Sequence, residues 1–201
     1  LMPLSFEVAA DALARAAVSI EDDRISLVVD IGTARTDVSI VKKHAVVYTS
    51  TIDIAGTHFN AALRGYFGDQ DTVAIQELQR EQGLLDTGGE NEVSAALLPI
   101  ILKLKDEIAT RITYWNTLRS AAAEKQGAAH RDPNAIQKII LCGGSAVIAG
   151  LPEYIGEMLG LEAERVDVWQ NVFPADTVVP ALARRDSYAY ATAVGLALRD
   201  N

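Results

Sequence analysis

Arg24 to Ile40 reads RISLVVDIGTARTDVSI, and the fold turns on these residues. An apolar run from Ile25 to Val29 ends in Asp30, and a small polar turn from Thr33 to Thr36 follows Asp30-Ile31-Gly32. β-Branched residues return at Val38, Ile40 and Val41, so the segment is predicted to be strand, tight turn, strand. Asp30 then stands at a strand end beside Gly32, whose missing Cβ lets the backbone turn and lets another group approach its N–H. Two readings follow from the residues. One is a plain glycine hairpin. The other is a phosphate cradle of successive N–H groups and the hydroxyls of Thr33 and Thr36, with the Asp30 carboxylate holding a metal ion or its water.

Working outward, Phe6 to Val18 has helical spacing ahead of the first strand, and His44 to Ile54 supplies a third strand that completes an antiparallel meander. Gly56-Thr57 ends that strand, with Thr57 the expected N-cap of a helix whose apolar face is Phe59, Ala62, Leu63 and Phe67. Asp71 or Thr72 caps a second helix that ends at Gly83. Leu84 to Asn91 is expected to be a loop. From Glu92 to about Glu124 apolar residues recur every three or four positions, from Val93 through Trp115 to Leu118, which predicts one long helix. Pro99 marks either a kink in it or its true start. Ala121 to Pro133 reads as a linker.

A short strand, Lys138 to Leu141, runs straight into Cys142-Gly143-Gly144-Ser145, the second candidate site, because paired glycines after a strand let a ligand or a neighbouring element lie against the main chain. A helix from Leu151 to Leu159 follows, with Pro152 where a missing N–H costs nothing. Val166 to Trp169 is expected to form a further strand, Asn171 to Pro180 an extended segment, and Ser187 to Leu198 a small-residue helix under the glycine turn.

Composition narrows the classes. The 201 residues suffice for one sizeable core or one domain of two lobes. A formal charge of −9 and the absence of Lys/Arg clusters argue against a nucleic-acid surface. The single cysteine, Cys142, rules out an internal disulfide and, with three scattered histidines, argues against a zinc site. No apolar run has the length of a membrane span, and no secretory pattern is present. The dinucleotide fingerprint GxGxxG and the phosphate loop GxxxxGK[ST] are both missing. A chain beginning at Leu1 reads as an excised fragment.

Asp30 to Asp37 (DIGTARTD) and Leu141 to Ala146 (LCGGSA), each after an apolar strand, resemble the second phosphate turn and the adenosine turn in the second half of the actin-like ATPase superfamily. Within it the chain is most similar to the type IV pilus assembly protein PilM family. The supporting stretches are Phe6 to Ala14, Ile54-Ala55-Gly56-Thr57-His58-Phe59, ITYWNTLRS, and above all GGSAVIAGLPEYIGEMLG. The implied fold is α/β: the second lobe of an actin-like ATPase (ribonuclease H-like), a mixed sheet with flanking helices plus a helical or small-sheet subdomain. Residues 1–55 and 92–201 would form the phosphate- and adenosine-binding part, and residues 56–91 a smaller inserted subdomain.

The resemblance further implies a cytoplasmic adaptor, peripheral at the inner membrane, that binds ATP with magnesium and hydrolyses it weakly or not at all. Its partner would be a short cytoplasmic peptide of a membrane-anchored pilus assembly protein, bound mainly through a first lobe that this chain lacks; self-association is a further expectation. Asp30 would face the metal and phosphates, Gly32 and Thr33 would donate N–H groups, and Thr36 a hydroxyl. Gly143, Gly144 and Ser145 would border the adenosine, with Val147 near the base. No protein nucleophile is named. Two departures stand out: Gln76 and Gln79 occupy places where relatives carry Glu and Lys, and only one DxG turn is present, so the chain supplies one side of a cleft. The alternatives are a membrane-tethered actin-like cell-division protein, the half of a sugar or acetate kinase, and a degenerate scaffold that keeps its glycines for packing and binds only proteins.

Overall fold

The computed structural model describes residues 6–69, 71–85, 91–124, 135–173 and 182–199, with backbone alone for 119–124. Its centre is one mixed sheet of five strands in the order β3-β2-β1-β4-β5. β1 (Ser26–Ile31), β2 (Thr36–Lys42) and β3 (Ala45–Ile52) are antiparallel, whereas β4 (Lys138–Cys142) runs parallel to β1 and β5 (Glu162–Arg165) parallel to β4.

Side-chain alternation divides the core into two layers. Leu27, Val29 and Ile31 of β1 and Ile139 and Leu141 of β4 face α2 (Gly56–Phe67), α3 (Thr72–Glu81), α4 (Glu92–Glu124) and α5 (Leu151–Leu159). Val28, Ile140 and Cys142 face the other way, onto α1 (Ala9–Ala17) and α7 (Ala191–Ala197). Because helices cover both faces, β1 reads as a continuous apolar run rather than an alternation. Phe59, Leu63 and Ile75 of residues 56–91 are fully buried and belong to the same core as the sheet.

On the second face α1 and α7 meet backbone to backbone: a Cβ on Gly195 would lie 1.7 Å from the Ala12 carbonyl oxygen. Arg15 clamps this crossing, donating to the Gly195 carbonyl at 2.6 Å while pairing with Glu7.

Most of the predicted elements form, and the differences have physical causes. The first helix begins at Ala9, after Phe6 and Val8, which are exposed. Thr57 is not the N-cap of α2; that position is Ala55, whose N–H donates to His58 Nδ1 at 3.2 Å. Asp71 does cap α3, accepting from the Ala74 N–H at 2.8 Å. Pro99 lies inside one uninterrupted α4. Along that helix Trp115 is buried, Ile112 half-buried, and Leu118 exposed. Tyr114 is exposed as well and packs on the Tyr48 ring at 5.8 Å between centroids.

Val166 to Trp169 is not a strand. The edge strand is the polar stretch just before it, Glu162–Arg165, because its charges find partners at the sheet border: Glu162 pairs with Arg24 and Glu164 with Lys138. Val166 makes the last ladder-like bond, to the Leu141 carbonyl at 2.9 Å, and Asp167 Oδ1 then accepts the Trp169 N–H and turns the chain. The last predicted helix is split into α6 (Arg184–Ser187), a 3₁₀ turn (Tyr188–Tyr190) and α7. The tip of the loop after α3, most of the linker before β4 and most of the extended segment after Asn171 lie outside the described residues. Among the described residues, no helix is long and apolar enough to cross a membrane.

At the end of the sheet away from the glycine turns, the Lys138 ammonium sits among Asp22 (3.3 Å) and Glu164 (2.7 Å), and Arg24 grips Asp22 from the other side at 2.8 Å. The hydrogen bond from Arg24 holds the Asp22 carboxyl well below the usual carboxylate range. A depressed carboxyl pKa stabilises the fold above its unfolded value and is lost as pH falls towards the folded one. Asp22→Asn is therefore expected to cost about 1–3 kcal/mol at neutral pH. In denaturant titrations from pH 7 to pH 2, its deficit relative to the parent chain should shrink below about pH 4.

Candidate functional site

The two glycine turns lie side by side because β1 and β4 are parallel neighbours, with Asp30 opposite Cys142 in the register. Three segments are stitched together there. The Gly32 carbonyl accepts the Gly56 N–H at 3.0 Å and the Ser145 hydroxyl at 3.3 Å, and the Thr33 carbonyl accepts the Thr57 N–H at 2.8 Å. The Ser145 N–H donates to the Ile31 carbonyl at 3.0 Å, and the Gly143 N–H to that of Tyr188 at 3.0 Å. The first turn of α2 is thus tied to the DIGT turn, and the second glycine turn is tied both to that turn and to the C-terminal helices.

Three of the site's glycines are required by contact, among them Gly32, where a Cβ would lie 2.9 Å from the Arg35 carbonyl oxygen. Gly143 has φ +88°, and a Cβ there would lie 2.4 Å from Asp30 Oδ1 and 2.5 Å from the Ile31 carbonyl oxygen. A Cβ on Gly56 would fall 2.2 Å from the Ser145 hydroxyl oxygen.

Asp30 is half-buried, and its side chain hydrogen-bonds no other described residue. Burial, and then the neighbouring charge of Asp37, push its carboxyl above the usual range. Asp37, its cross-strand neighbour, is by contrast well served: it accepts from Arg35 Nε at 3.2 Å and from the Thr51 hydroxyl at 2.8 Å. Asp30 borders a cavity of about 390 Å³ walled by Ala9, Ala10 and Leu13 of α1 and by Asp37, Ser39 and Thr49 of the outer strands. The Cys142 thiol, completely buried, is pushed well above its ordinary value by burial and by Asp30. It donates to the Val29 carbonyl, an inert structural contact.

A second cleft, of about 320 Å³, opens on the other side of the glycine pair, lined by Gly144, Val147, Arg80, Arg185, Asp186 and Tyr190. Arg80 of α3 reaches across it to Asp186 of α6 at 3.3 Å. A smaller cavity of about 90 Å³, with Gln76, Glu77 and Glu81 on its wall, shares Arg80 and Arg185 with this cleft.

The sequence-predicted residues separate into groups. Asp30, Gly32, Thr33, Gly143, Gly144 and Ser145 come together, with Val147 on the wall of the second cleft. Thr36 is fully buried and its hydroxyl is spent on the Ile54 carbonyl at 2.6 Å, so it braces the hairpin. The Ser145 hydroxyl and N–H and the Gly32 N–H are likewise committed to the turns. Gln79 does not line either cavity: it is buried, and its amide donates to Asn60 at 2.9 Å. Gln76 is exposed on the smaller cavity.

Arg80 and Asp186 are the residues that sequence reasoning missed. The signal lay in the helical period: Ile75 and Gln79 share the buried stripe, so the cleft-facing partner of Gln76 is the residue four further on, Arg80. Among the described residues, no group of three or more His, Cys, Asp or Glu side chains is placed to hold a metal ion. A cation here would rest on Asp30 and on groups a ligand brings.

The family model for type IV pilus assembly protein PilM matches residues 4–201. Among solved structures, the chain is similar to the one titled PilM-PilN type IV pilus biogenesis complex, with a TM-score of 0.71 and 22% identity over 99% of this chain and 53% of that one. MreB 5 of Spiroplasma citri bound to AMPPNP gives a TM-score of 0.66 at 18% identity, over 96% and 58% of the two chains. The ethanolamine utilization protein EutJ from Carboxydothermus hydrogenoformans gives 0.60 at 18%, over 94% and 53%. No curated protein sequence matches the chain. The chain spans little more than half the length of each of these structures. The likeness establishes the fold, the ribonuclease H-like mixed sheet of actin-like ATPases.

The turn geometry makes a sharp contrast between adjacent glycines. Gly143→Ala forces a Cβ into Asp30 and Ile31 at positive φ and is expected to cost at least about 2 kcal/mol. A Cβ on Gly144 meets nothing nearer than the Ala189 Cβ at 3.8 Å, so Gly144→Ala should stay within about 1 kcal/mol of the parent chain. Thermal unfolding of the two variants reads this directly.

Proposed function

The chain belongs to the type IV pilus assembly protein PilM family, and from that premise we propose that it forms one side of a nucleotide cleft in a cytoplasmic adaptor of type IV pilus assembly. The observation that carries this reading is the juxtaposition of the half-buried Asp30 carboxylate, without a hydrogen-bond partner among the described residues, and the glycine turn whose backbone lies against it. A fold keeps a desolvated, unpaired carboxylate only at a cost, and such groups cluster at functional sites. The ligand proposed is ATP with Mg²⁺. Asp30 would face the cation, the exposed turn from Thr33 to Arg35 would approach the phosphates, and Gly144 and Val147 would border the adenosine.

The residues present fit this group in charge and in space. Asp30 supplies an acceptor-only ligand for a hard cation, and the 320 Å³ cleft beyond Gly144 matches the lower range of small-ligand sites. When bound, the cation would neutralise the phosphates against Asp30. The proposed activity, as the family resemblance implies, is binding with weak or negligible hydrolysis.

We take the described fold to be the second lobe of the actin-like architecture, with residues 1–55 and 92–201 as the nucleotide-binding part and residues 56–91 as the smaller subdomain. The partner proposed is a short cytoplasmic peptide of a membrane-anchored pilus protein, held mainly by the other lobe, which places the adaptor at the inner membrane through its partner. The solved PilM-PilN complex supports a partner of that kind. One set of observations favours a second reading, a scaffold that no longer binds nucleotide: Thr36, Gln79 and Ser145 all spend their polar groups inside the fold.

Calorimetric titration of Mg·ATP into the full-length protein tests the choice. Saturable binding that weakens at least about tenfold in Asp30→Ala is expected, the loss of one charged contact. No heat and no thermal stabilisation at millimolar nucleotide would leave the scaffold reading standing. For the 201-residue chain alone, little stabilisation is expected, because a ligand covered from one side keeps much of its surface wet.

A further inference from the structure

The two edges of the sheet are built differently. β5 is four residues long and its glutamates are tied to Arg24 and Lys138, so that edge is short and charged. β3 is the other edge. It runs for eight residues, AVVYTSTI, without a charged side chain or a proline, and Val47 stands exposed on it. A long uncharged edge invites pairing with another strand, and folded proteins normally guard it with charge, proline or brevity.

The centre of β3 is open to such pairing. From α4, Arg111 Nη2 donates to the Thr51 carbonyl at 3.2 Å, so the Thr51 main chain faces away from β2. Thr49, two residues earlier, has the same orientation, and no strand of the sheet lies beyond it. Beside this edge Tyr48 packs on the exposed Tyr114 ring, and exposed Leu118 follows one turn further along α4.

We propose that β3 is an interface for a second copy of this chain, the two strands lying antiparallel about a two-fold axis at Tyr48. Charge at the two ends of the strand selects this occupant. The β2–β3 turn carries Lys43 and His44, and the strand leaves into Asp53; all three are exposed. Lys43 and Asp53 lie five residues to either side of Tyr48. An antiparallel copy therefore sets Lys43 of each chain against Asp53 of the other, twice by symmetry. It also brings the two Tyr48 side chains together on the axis as an aromatic cross-strand pair. A parallel copy would place like charges together instead. The register shift between Ile40 and Val41 interrupts β3 near Val47 and keeps the added ladder short. The pair is thus a concentration-dependent dimer, closed because the two-fold uses up the edge. It does not depend on the nucleotide reading.

The test is sedimentation equilibrium of the full-length protein without nucleotide, at low ionic strength, where surface charge pairs are least screened. A monomer–dimer equilibrium is expected. Thr49→Pro removes an outward N–H that the fold itself does not use, and Val47→Lys supplies the guard that this edge lacks. Each should raise the dimer dissociation constant at least about tenfold. Lys43→Glu and Asp53→Lys each bring like charges together and should weaken the dimer about three- to tenfold. The double charge variant should recover the parental constant. An equimolar mixture of the two single charge variants should recover it as well, because each mixed pair holds two opposite-charge contacts.

Thermal unfolding of each variant separates loss of fold from loss of pairing, and the exposed charge positions keep the test open if Thr49→Pro unfolds. A parent protein that stays monomeric at its highest soluble concentration would overturn the inference and leave the edge to a strand of another protein. So would a dimer that Val47→Lys leaves unchanged, or single charge variants that neither the double variant nor the mixture rescues.

Discussion

The contact on which the site depends is the approach of the Gly143 backbone to the Asp30 carboxylate at the ends of two parallel strands. No residue with a Cβ fits there, since that atom would meet both the carboxylate oxygen and the Ile31 carbonyl. With this contact in place, Ser145 is carried against Gly32, Gly56 must be bare to admit the serine hydroxyl, and the first turn of α2 is drawn onto the DIGT turn. One close approach thereby sets the positions of α2, of the second glycine turn and, through the Gly143–Tyr188 bond, of the C-terminal helices.

Much of this was legible in the sequence, for reasons that differ along the chain. β1 and β4 announce themselves by apolar runs buried on both faces, β2 by the return of β-branched residues at Val38, Ile40 and Val41, and α5 because Pro152 and Gly160 bracket it. The edge strand β5 was hidden: an edge tolerates charge, and EAER is held by ion pairs with Arg24 and Lys138, which belong to distant parts of the chain. The apolar VDVW beside it alternates like a strand but buries Val166 and Val168 from an irregular segment. Local pattern could not separate these, because the deciding partners are tertiary.

The candidate site divides in the same way. Gly143 could be read because close backbone approach demands a glycine there, and Asp30 because it stands at the end of a strand beside Gly32. Hydroxyls and amides could not, because Thr36, Ser145 and Gln79 carry groups equally able to serve a ligand or the fold, and each serves the fold. Arg80 was obscured by its neighbour in a motif and emerges only when the buried stripe of α3 is fixed by Ile75. What distinguishes Asp30 from these is that burial raises its pKa while Asp37 beside it takes Arg35 and Thr51. A group kept in that condition is a standing cost to the fold unless something else meets it.

The most direct test of this account is the thermal stability of the full-length protein and its Asp30→Asn variant, each measured without ligand and with saturating Mg·ATP. A raised carboxyl pKa destabilises the fold at neutral pH, so without ligand the variant should be the more stable of the two. With Mg·ATP the order should reverse, because only the carboxylate gains from the cation. A variant less stable than the parent protein in the absence of ligand, or an order that Mg·ATP leaves unchanged, would contradict the claim that Asp30 is held ready for a ligand.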